Sequence, residues 1–257
     1  SSVAYNLPNE VFYDCAALTK IVFSDTLEFI GQNAFVNCKS LETIEIPENL
    51  SLISYGMFVN CTSLREIDLP SKITEIGGRA FYNCTSLESI TIPNGVLRIG
   101  NNAFDSCTSL FSVEIPESVT EIGEYAFSHC ASLKSVVLPK NLTTLSYQAF
   151  AECESLESVT VSKNTRVLGK YCFMDCPKLK TIYYEGTMEQ WGMVVTKDAF
   201  FDDTDIEILE RPDSGKDGSA TIRYKEDGVT KTEVREFYTC DCGNHYRVKR
   251  EKGKAKI

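Results

Sequence analysis

Apolar residues return to the same positions along this chain at a fixed interval of 23 residues. Cys, Phe and Leu each keep this interval over eight successive positions. A fixed period of this length indicates a solenoid, in which each repeat forms one coil and stacks on its neighbours. The three columns are Cys15, Cys38, Cys61, Cys84, Cys107, Cys130, Cys153 and Cys176; Phe12, Phe35, Phe58, Phe81, Phe104, Phe127, Phe150 and Phe173; and Leu18, Leu41, Leu64, Leu87, Leu110, Leu133, Leu156 and Leu179.

The unit between Leu41 and Leu64 shows the expected plan of one coil. Ile44 and Ile46 are two residues apart, so they lie on one face of a short strand. Pro47 follows directly and cannot donate a ladder hydrogen bond, so it ends the strand. Proline recurs at this place in four further units, which predicts the same strand end in each of them.

The second half of each unit should return the chain to the start of the next coil. We expect Leu50 and Ile53 to point back into the core and the glycine of the Gly31 column to turn the chain. The spacing of Ala34, Phe35, Cys38 and Leu41 places these side chains on one stripe of a helix. We therefore predict one or two helical turns in each coil.

A single coil should not be stable by itself. It buries roughly six apolar side chains, each worth about 1.5–3 kcal/mol, whereas ordering the backbone costs about 1–2 kcal/mol per residue. Stacking against neighbouring coils supplies the remaining stability. The Phe column is predicted to form a continuous buried spine.

These columns resemble a known family. The consensus LxxIxIPxxVxxIGxxAFxxCxS of the BspA-like, or Treponema pallidum-type, leucine-rich repeats is matched by LESITIPNGVLRIGNNAFDSCTS at residues 87–109. The resemblance covers about residues 7–195. It implies an α/β repeat solenoid, a right-handed leucine-rich-repeat superhelix with a parallel β-sheet on one face. It also implies a secreted or surface protein of a microbe, often an adhesin or binding protein.

The pattern weakens at both ends. We predict a solenoid over residues 1–210, whose degenerate last coil caps it, and a linker over 211–219 rich in turn-forming residues. Residues 220–257 are predicted to form a small β-hairpin module with a basic tail, because Asp227-Gly228 is a strong hairpin signal between two strand-like segments.

Charge is distributed unevenly along the chain. The formal net charge is −10; residues 216–257 carry 11 Lys+Arg and 7 Asp+Glu, which leaves −14 for residues 1–215. The acidic part should repel phosphates, so nucleic acid is not an expected partner. No apolar run is long enough for membrane insertion, no signal peptide is visible, and two His residues make a His-based active site hard to build. We expect a protein that is not an enzyme.

Cysteine use offers one candidate metal site. The eight-membered Cys column is interpreted as core, because free Cys behaves as a small hydrophobe and a 23-residue step is not a metal-ligand spacing. Cys240, Cys242 and His245 have donors that suit zinc. A fourth ligand is missing, so zinc, a redox disulfide and plain thiols all stay open there; no other cofactor is expected.

The outward-facing side chains of the strands form the candidate binding face. Its N-terminal half is acidic and its C-terminal half combines hydroxyl groups with apolar side chains. Like charges on neighbouring strands about 4.8 Å apart repel, which favours a cationic partner. The selected residues are Glu45, Glu66, Asp68, Thr91, Phe111, Glu114, Val137, Thr160 and Tyr183.

Three functional hypotheses follow. The leading one is a non-enzymatic binding or adhesion protein, extracellular or at the cell surface, whose sheet face contacts a protein or glycan, host extracellular matrix included. The second is a structural spacer that presents an active C-terminal module. The third is a metal or redox protein centred on Cys240, Cys242 and His245. The sequence also allows the acidic face to pair with the basic tail, within or between molecules.

Overall fold

The structure is a computed structural model that describes residues 5–196, 198–200, 206–210, 218–226, 229–239 and 246–248. Within the repeats its elements are short, as a 23-residue coil requires. In chain order they are β1 Tyr5–Leu7, β2 Leu27–Ile30, β3 Leu52–Ile53, β4 Glu75–Ile76, β5 Ser89–Thr91, β6 Arg98–Ile99, β7 Ser112–Glu114, β8 Glu121–Ile122, β9 Ser135–Val137, β10 Thr144–Leu145, β11 Ser158–Val161, β12 Val167–Leu168, β13 Thr181–Tyr184, α1 Met188–Trp191, β14 Glu207–Glu210, β15 Gly218–Glu226, β16 Val229–Thr239 and β17 Tyr246–Val248.

Each regular coil contributes to two parallel ladders. The first ladder holds the predicted strands, in which β5 pairs with β7, and β9, β11, β13 and β14 pair in succession. The second ladder was not predicted and runs through β3, β4, β6 and β8, with β10 and β12 paired further along. Its strands are only two residues long, so they carry no alternation that sequence patterning could detect.

The predicted helical turns are wrong. In the described part of the chain the only helix is α1, and the Ala-Phe-xx-Cys segments are series of tight turns. Two residues in each regular coil have a left-handed backbone, such as Asn33 with φ 55° and Asn37 with φ 62°. A left-handed residue ends an α-helix, and two of them four residues apart leave no room for one.

Hydrogen bonding explains why turns replace a helix. The backbone N–H groups of Asn33, Phe35 and Asn37 donate to the carbonyl groups of the next coil, with N···O distances of 2.9 Å. The N–H groups of Val36 and Cys38 donate instead to carbonyl groups three residues earlier. The segment therefore divides its donors between local turns and the neighbouring coil, and both sets of polar groups are paired.

The glycines of the Gly31 column begin a tight turn, as expected, since the carbonyl group of Gly100 accepts a hydrogen bond from the backbone N–H of Ala103, and they also serve close packing. The backbone of Gly100 is not left-handed, but a Cβ atom built on it would lie 2.4 Å from the backbone nitrogen of Gly78 in the preceding coil. Where Ser54 replaces this glycine, its hydroxyl donates a hydrogen bond to the carbonyl oxygen of Ile30. The column is thus restricted to small residues because adjacent coils approach closely there.

The core is the predicted Phe spine with the Cys column beside it. The rings of Phe35 to Phe150 are fully buried, and neighbouring centroids along that run are 5.0–5.4 Å apart with nearly parallel planes. Phe12 and Phe200 continue the stack at its two ends. The spine prediction is confirmed, and the final stack places Phe200 in a last coil that contains four additional residues.

The C-terminal strands extend the first ladder. β14 pairs in parallel with β13 and antiparallel with β15, and β15, β16 and β17 follow in antiparallel order. Glu226 of β15 is in register with Val229 of β16, the pairing expected for a hairpin at Asp227-Gly228, which lies outside the described residues. The boundaries at 210 and 219, and an independent C-terminal module, remain predictions.

Candidate functional site: the sheet face

The first ladder places the predicted face residues in register across neighbouring coils. Glu45 pairs with Asp68, Thr91 with Glu114, and Thr160 with both Val137 and Tyr183. The column therefore forms one line of side chains, spaced by the distance between strands, about 4.8 Å. The remaining two predicted residues, Glu66 and Phe111, are exposed; Glu66 lies two residues before Asp68, and Phe111 directly precedes β7.

The N-terminal part of the face forms a groove of about 390 Å³, which we call the front groove. Apolar side chains form part of its lining, among them Val22, which is 79% exposed, and Phe23 and Leu69, which are half-buried. Its acidic lining residues are Asp25, Glu45, Glu48 and Asp68. The groove thus offers apolar contact area with carboxylates around it.

The C-terminal part of the face has a different chemistry. Phe111 and Val137 are 49% and 54% exposed, large values for apolar side chains on a packed sheet. Phe111 and Lys134 line an open depression of about 470 Å³ together with serine residues of three successive coils. An aromatic ring, an ammonium group and several hydroxyls can contact either a peptide or a sugar.

Thr160 does not belong to the accessible surface. We expected it to be exposed with the rest of its column, but it is only 7% exposed. It is in register between Val137 and Tyr183, so a small side chain stands between two larger ones. Tyr183 is half-buried. Accessible contact area on this column therefore decreases toward its C-terminal end.

The second ladder also carries charge, but its charges are paired. Arg98 lies 3.6 Å from a carboxylate oxygen of Glu75 and 3.1 Å from one of Glu121. Among the residues that the structure describes, no such ion pair reaches Glu45, Asp68 or Glu114. The carboxylates of the sheet face are therefore left available for an external cation, whereas Glu75 and Glu121 of the second ladder share the positive charge of Arg98.

One polar cluster was missed at the level of sequence. His129 Nδ1 lies 3.2 Å from Asp105 Oδ1, and His129 Nε2 lies 3.1 Å from Glu152 Oε2. Asp105 is buried and also accepts hydrogen bonds from Asn102 and Ser106. His129 and Glu152 are 23 residues apart and so occupy the same position in successive coils, which is the sequence signal that predicts their contact. The contact of His129 with Asp105 has no such signal. The arrangement connects three coils, which makes it a structural tie.

The predicted metal site lies outside the described residues, since Cys240, Cys242 and His245 are not among them. Within the described residues no group of three or more acidic, His or Cys side chains could hold a metal ion. The Cys column is buried core from Cys38 to Cys176, whereas Cys15 is exposed. The interpretation as unpaired core thiols is confirmed for the seven column residues from Cys38 to Cys176 and is wrong for Cys15, because no coil of the described chain precedes the first one to cover it.

The buried thiols are held in the protonated state by their surroundings. Burial, helped by the nearby Cys15, raises the pKa of Cys38 to about 11. Burial raises the pKa of Cys84 well above its ordinary value, and the neighbouring thiols Cys107 and Cys61 add to the effect. Each thiol instead donates a weak hydrogen bond to a Phe carbonyl of the previous coil, as Cys84 does to Phe58 with an S···O distance of 3.1 Å. These groups are unsuited to nucleophilic chemistry, because the thiolate is the reactive form.

Stacked 23-residue coils with two parallel ladders and a Phe spine define a leucine-rich-repeat solenoid. The family model for the BspA type leucine rich repeat region matches six copies over residues 5–110 and 74–207. The chain therefore belongs to the BspA type leucine-rich repeat family. No curated protein sequence matches the chain.

Solved structures of similar proteins agree with this assignment. A leucine-rich repeat protein of T. pallidum is 34% identical, with a TM-score of 0.54, and the match covers 63% of this chain and 72% of that one. A leucine-rich repeat protein from Bacteroides ovatus is 25% identical, with a TM-score of 0.51, and the match covers 80% of this chain and 66% of that one. In the described part of the chain, no helix has the length and apolar character that crossing a bilayer requires.

Proposed function

We propose that this chain is a non-enzymatic binding protein, secreted or displayed on a microbial surface, which uses its sheet face to hold a protein or glycan ligand. Host extracellular-matrix components are the first ligands to test. The single observation that carries the proposal is the register of exposed side chains, with Glu45 beside Asp68 and Thr91 beside Glu114, in a region where the described acids have no internal partner. Membership of the BspA type family supports the location.

The two halves of the face suit different parts of one ligand. The acidic half attracts cationic groups, and this attraction increases the association rate and selects the orientation. The half around Phe111 supplies the apolar area that usually provides most of the affinity, since aromatic residues are favoured as binding hot spots. A repeat surface of this kind contacts an extended ligand over several coils. The role requires no cofactor and no nucleic acid.

The test is a binding screen of the whole chain against immobilised matrix proteins and glycans. The first variant combines Glu45→Lys, Asp68→Lys and Glu114→Lys, and the second is Phe111→Ala. The control combines Glu28→Lys, Glu124→Lys and Glu154→Lys, which makes the same change in net charge at exposed positions outside the face. We expect the two face variants to weaken binding about tenfold or more, while the control binds like the parent and all melting temperatures agree.

Other outcomes would contradict the proposal. Binding that is equally weak in the control variant would mean that net charge acts at long range and that the face has no particular role. Binding that all variants retain would move attention to residues 216–257, as the spacer hypothesis requires. Zinc analysis of the purified chain tests the remaining hypothesis, because a stoichiometric metal would indicate a site at Cys240, Cys242 and His245.

A further inference from the structure

The front groove combines apolar contact area with uncompensated negative charge. Val22 is the most exposed of the large apolar residues in the described chain, and it lies in the groove beside half-buried Phe23 and Leu69. An exposed apolar surface with a polar rim is typical of a contact site. Its lining residues come from three successive coils, at Val22, Glu45 and Asp68, so a chain segment can contact several coils at once.

The rim of the groove selects for positive charge. Asp25, Glu45, Glu48 and Asp68 all line it, and in the described part of the chain none of them forms an ion pair with a base. The neighbouring exposed bases Lys20 and Arg65 leave these four carboxylates unpaired. A cationic occupant would relieve the repulsion between Glu45 and Asp68, which lie directly opposite each other in register.

The chain itself contains a segment with complementary chemistry. Residues 249–257, KREKGKAKI, carry five Lys or Arg side chains and a single acid, and they end in isoleucine. We propose that the front groove binds this basic segment of a second copy of the same chain. The proposal rests on the proposed function in that both use the sheet face, and it adds a partner: another molecule of this protein.

The length of the basic segment decides whether the segment in the groove can belong to the same molecule or must belong to a second copy. β17 is the last strand of the C-terminal sheet, and about nine strand spacings separate Asp68 from it along the ladder. At about 4.8 Å per strand the separation is roughly 43 Å. Nine residues extend to at most about 30 Å. The segment therefore does not reach the front groove of its own molecule.

Contact between a groove at one end and a segment from the other end is heterologous. Such a contact leaves each molecule with one free groove and one free segment, so association continues head to tail unless the rotation closes a ring. In such a row the front grooves are filled, so each copy presents the part of the sheet face around Phe111. Several of these parts along one extended ligand would increase the number of simultaneous contacts and so the avidity.

Sedimentation velocity of the whole chain over a concentration series tests the proposal. The groove variant is Glu45→Lys with Asp68→Lys, the segment variant is Lys252→Glu with Lys254→Glu, and a third variant combines all four changes. The matched controls are Glu124→Lys with Glu154→Lys, and Lys163→Glu with Lys178→Glu, all at exposed positions away from the groove. Runs are made in about 0.1 M and about 1 M salt, where the screening length falls from roughly 10 Å to 3 Å.

We expect the parent and both controls to associate in low salt and to dissociate in high salt. The groove variant and the segment variant should each weaken association about tenfold or more, and the combined variant should recover it, because the charges have exchanged places. A parent that stays monomeric in low salt overturns the proposal. So does association that the controls weaken as strongly as the groove variant, or that the combined variant fails to recover.

The segment variant separates this proposal from the proposed function. It leaves the sheet face unchanged, so its binding to a matrix protein or glycan on a sparse surface should equal that of the parent. Loss of self-association with intact ligand binding supports both proposals. A monomeric parent that binds ligand overturns only self-association, and an associating parent that binds none of the ligands counts only against the proposed function.

Discussion

Phe81 and Phe104 lie in neighbouring coils with their ring centroids 5.1 Å apart and their planes within 6° of parallel. Both rings are fully buried, and each also stacks on the ring of its other neighbour. The same contact is repeated along the spine, so each coil depends on the coils at its two sides. Truncating one central ring should therefore weaken two interfaces at once.

The first prediction concerns this spine. Phe104→Ala should lower the free energy of unfolding by about 3–5 kcal/mol, because a buried ring is replaced by a cavity between two flanking rings. Phe111→Ala is the matched control, since Phe111 is seven residues away and half-exposed, and its effect should stay within about 0.5 kcal/mol. Urea unfolding followed by circular dichroism measures both. Equal losses for the two variants would contradict the assignment of the spine.

The core was predictable because its signal repeats. Phe, Cys and Leu occupy fixed columns, and stacking coils in register is sufficient to bury all three. The Ala-Phe-xx-Cys segment of each coil was predicted wrongly as helical, because its spacing also fits a helical stripe. The information that decides against a helix lies in the polar columns: Asn37, Asn60 and Asn83 have φ between 59° and 62°, and Asn tolerates this conformation better than most residues.

The second prediction distinguishes a turn from a helix at Asn60. In the structure Asn60 has φ 59°, donates a side-chain hydrogen bond to Asn37 and accepts one from Asn83, with N···O distances of 2.8 Å. Asn60→Ala should cost about 1–3 kcal/mol, because it adds left-handed strain to the lost bonds. Asn60→Gly should cost less, since glycine adopts this φ freely. A helix would give the opposite order, with Gly about 1 kcal/mol worse than Ala. The denaturation midpoints of Asn60→Ala and Asn60→Gly show which of the two orders holds.

For the candidate face, the register of the side chains was predicted from the sequence, and their exposure only in part. The period places Glu45 beside Asp68, and the structure confirms that register. The burial of Thr160 could not be predicted, because it depends on the sizes of its cross-strand neighbours Val137 and Tyr183. The second ladder with Arg98 was missed, since two-residue strands have no pattern of their own. Only the structure shows that Glu75 and Glu121 of the second ladder pair with Arg98, whereas Glu45 and Asp68 of the sheet face have no base paired with them among the described residues.

The third prediction concerns thiol reactivity in the folded protein. Cys15 is exposed, whereas Cys84 is fully buried and its pKa is raised well above the ordinary value, chiefly by burial. Iodoacetamide at mildly alkaline pH should modify Cys15 readily and leave Cys84 unmodified until denaturant is added. Peptide mass mapping measures both sites in one sample. Modification of Cys84 at the rate of Cys15 would show that the coils open readily.

The fourth prediction is a loss of stability at alkaline pH. The folded-state pKa of Cys84 is raised above the ordinary 9.0 of the unfolded chain. Below pH 9 both states keep the proton and the stabilisation is fully present. Above it the unfolded state releases the proton first, so the free energy of unfolding falls by about 1.4 kcal/mol per pH unit for each such thiol. Urea midpoints between about pH 8 and pH 10 measure this slope.

The variant Cys84→Ala isolates that thiol from the other titrating groups. It removes one buried thiol, so it should reduce the pH slope above pH 9, whatever it does to the stability at neutral pH. Lys163→Ala serves as the control, because it removes an exposed side chain and should leave the slope unchanged. An unchanged slope in Cys84→Ala would mean that the thiol does not lose its proton more easily on unfolding.

The last prediction tests whether the acidic face carries an internal cost. Glu45 and Asp68 are directly opposite in register and have no base paired with them among the described residues. In dilute protein at low salt, Glu45→Gln and Asp68→Asn should each stabilise the fold slightly. A double-mutant cycle should give a coupling of about 0.2–1 kcal/mol that decreases in about 1 M salt. The pair Glu124→Gln and Glu154→Gln, on separate coils, should show no coupling. A zero coupling for Glu45 and Asp68 would remove the electrostatic reason for a cationic partner, because the face would then gain nothing from neutralisation.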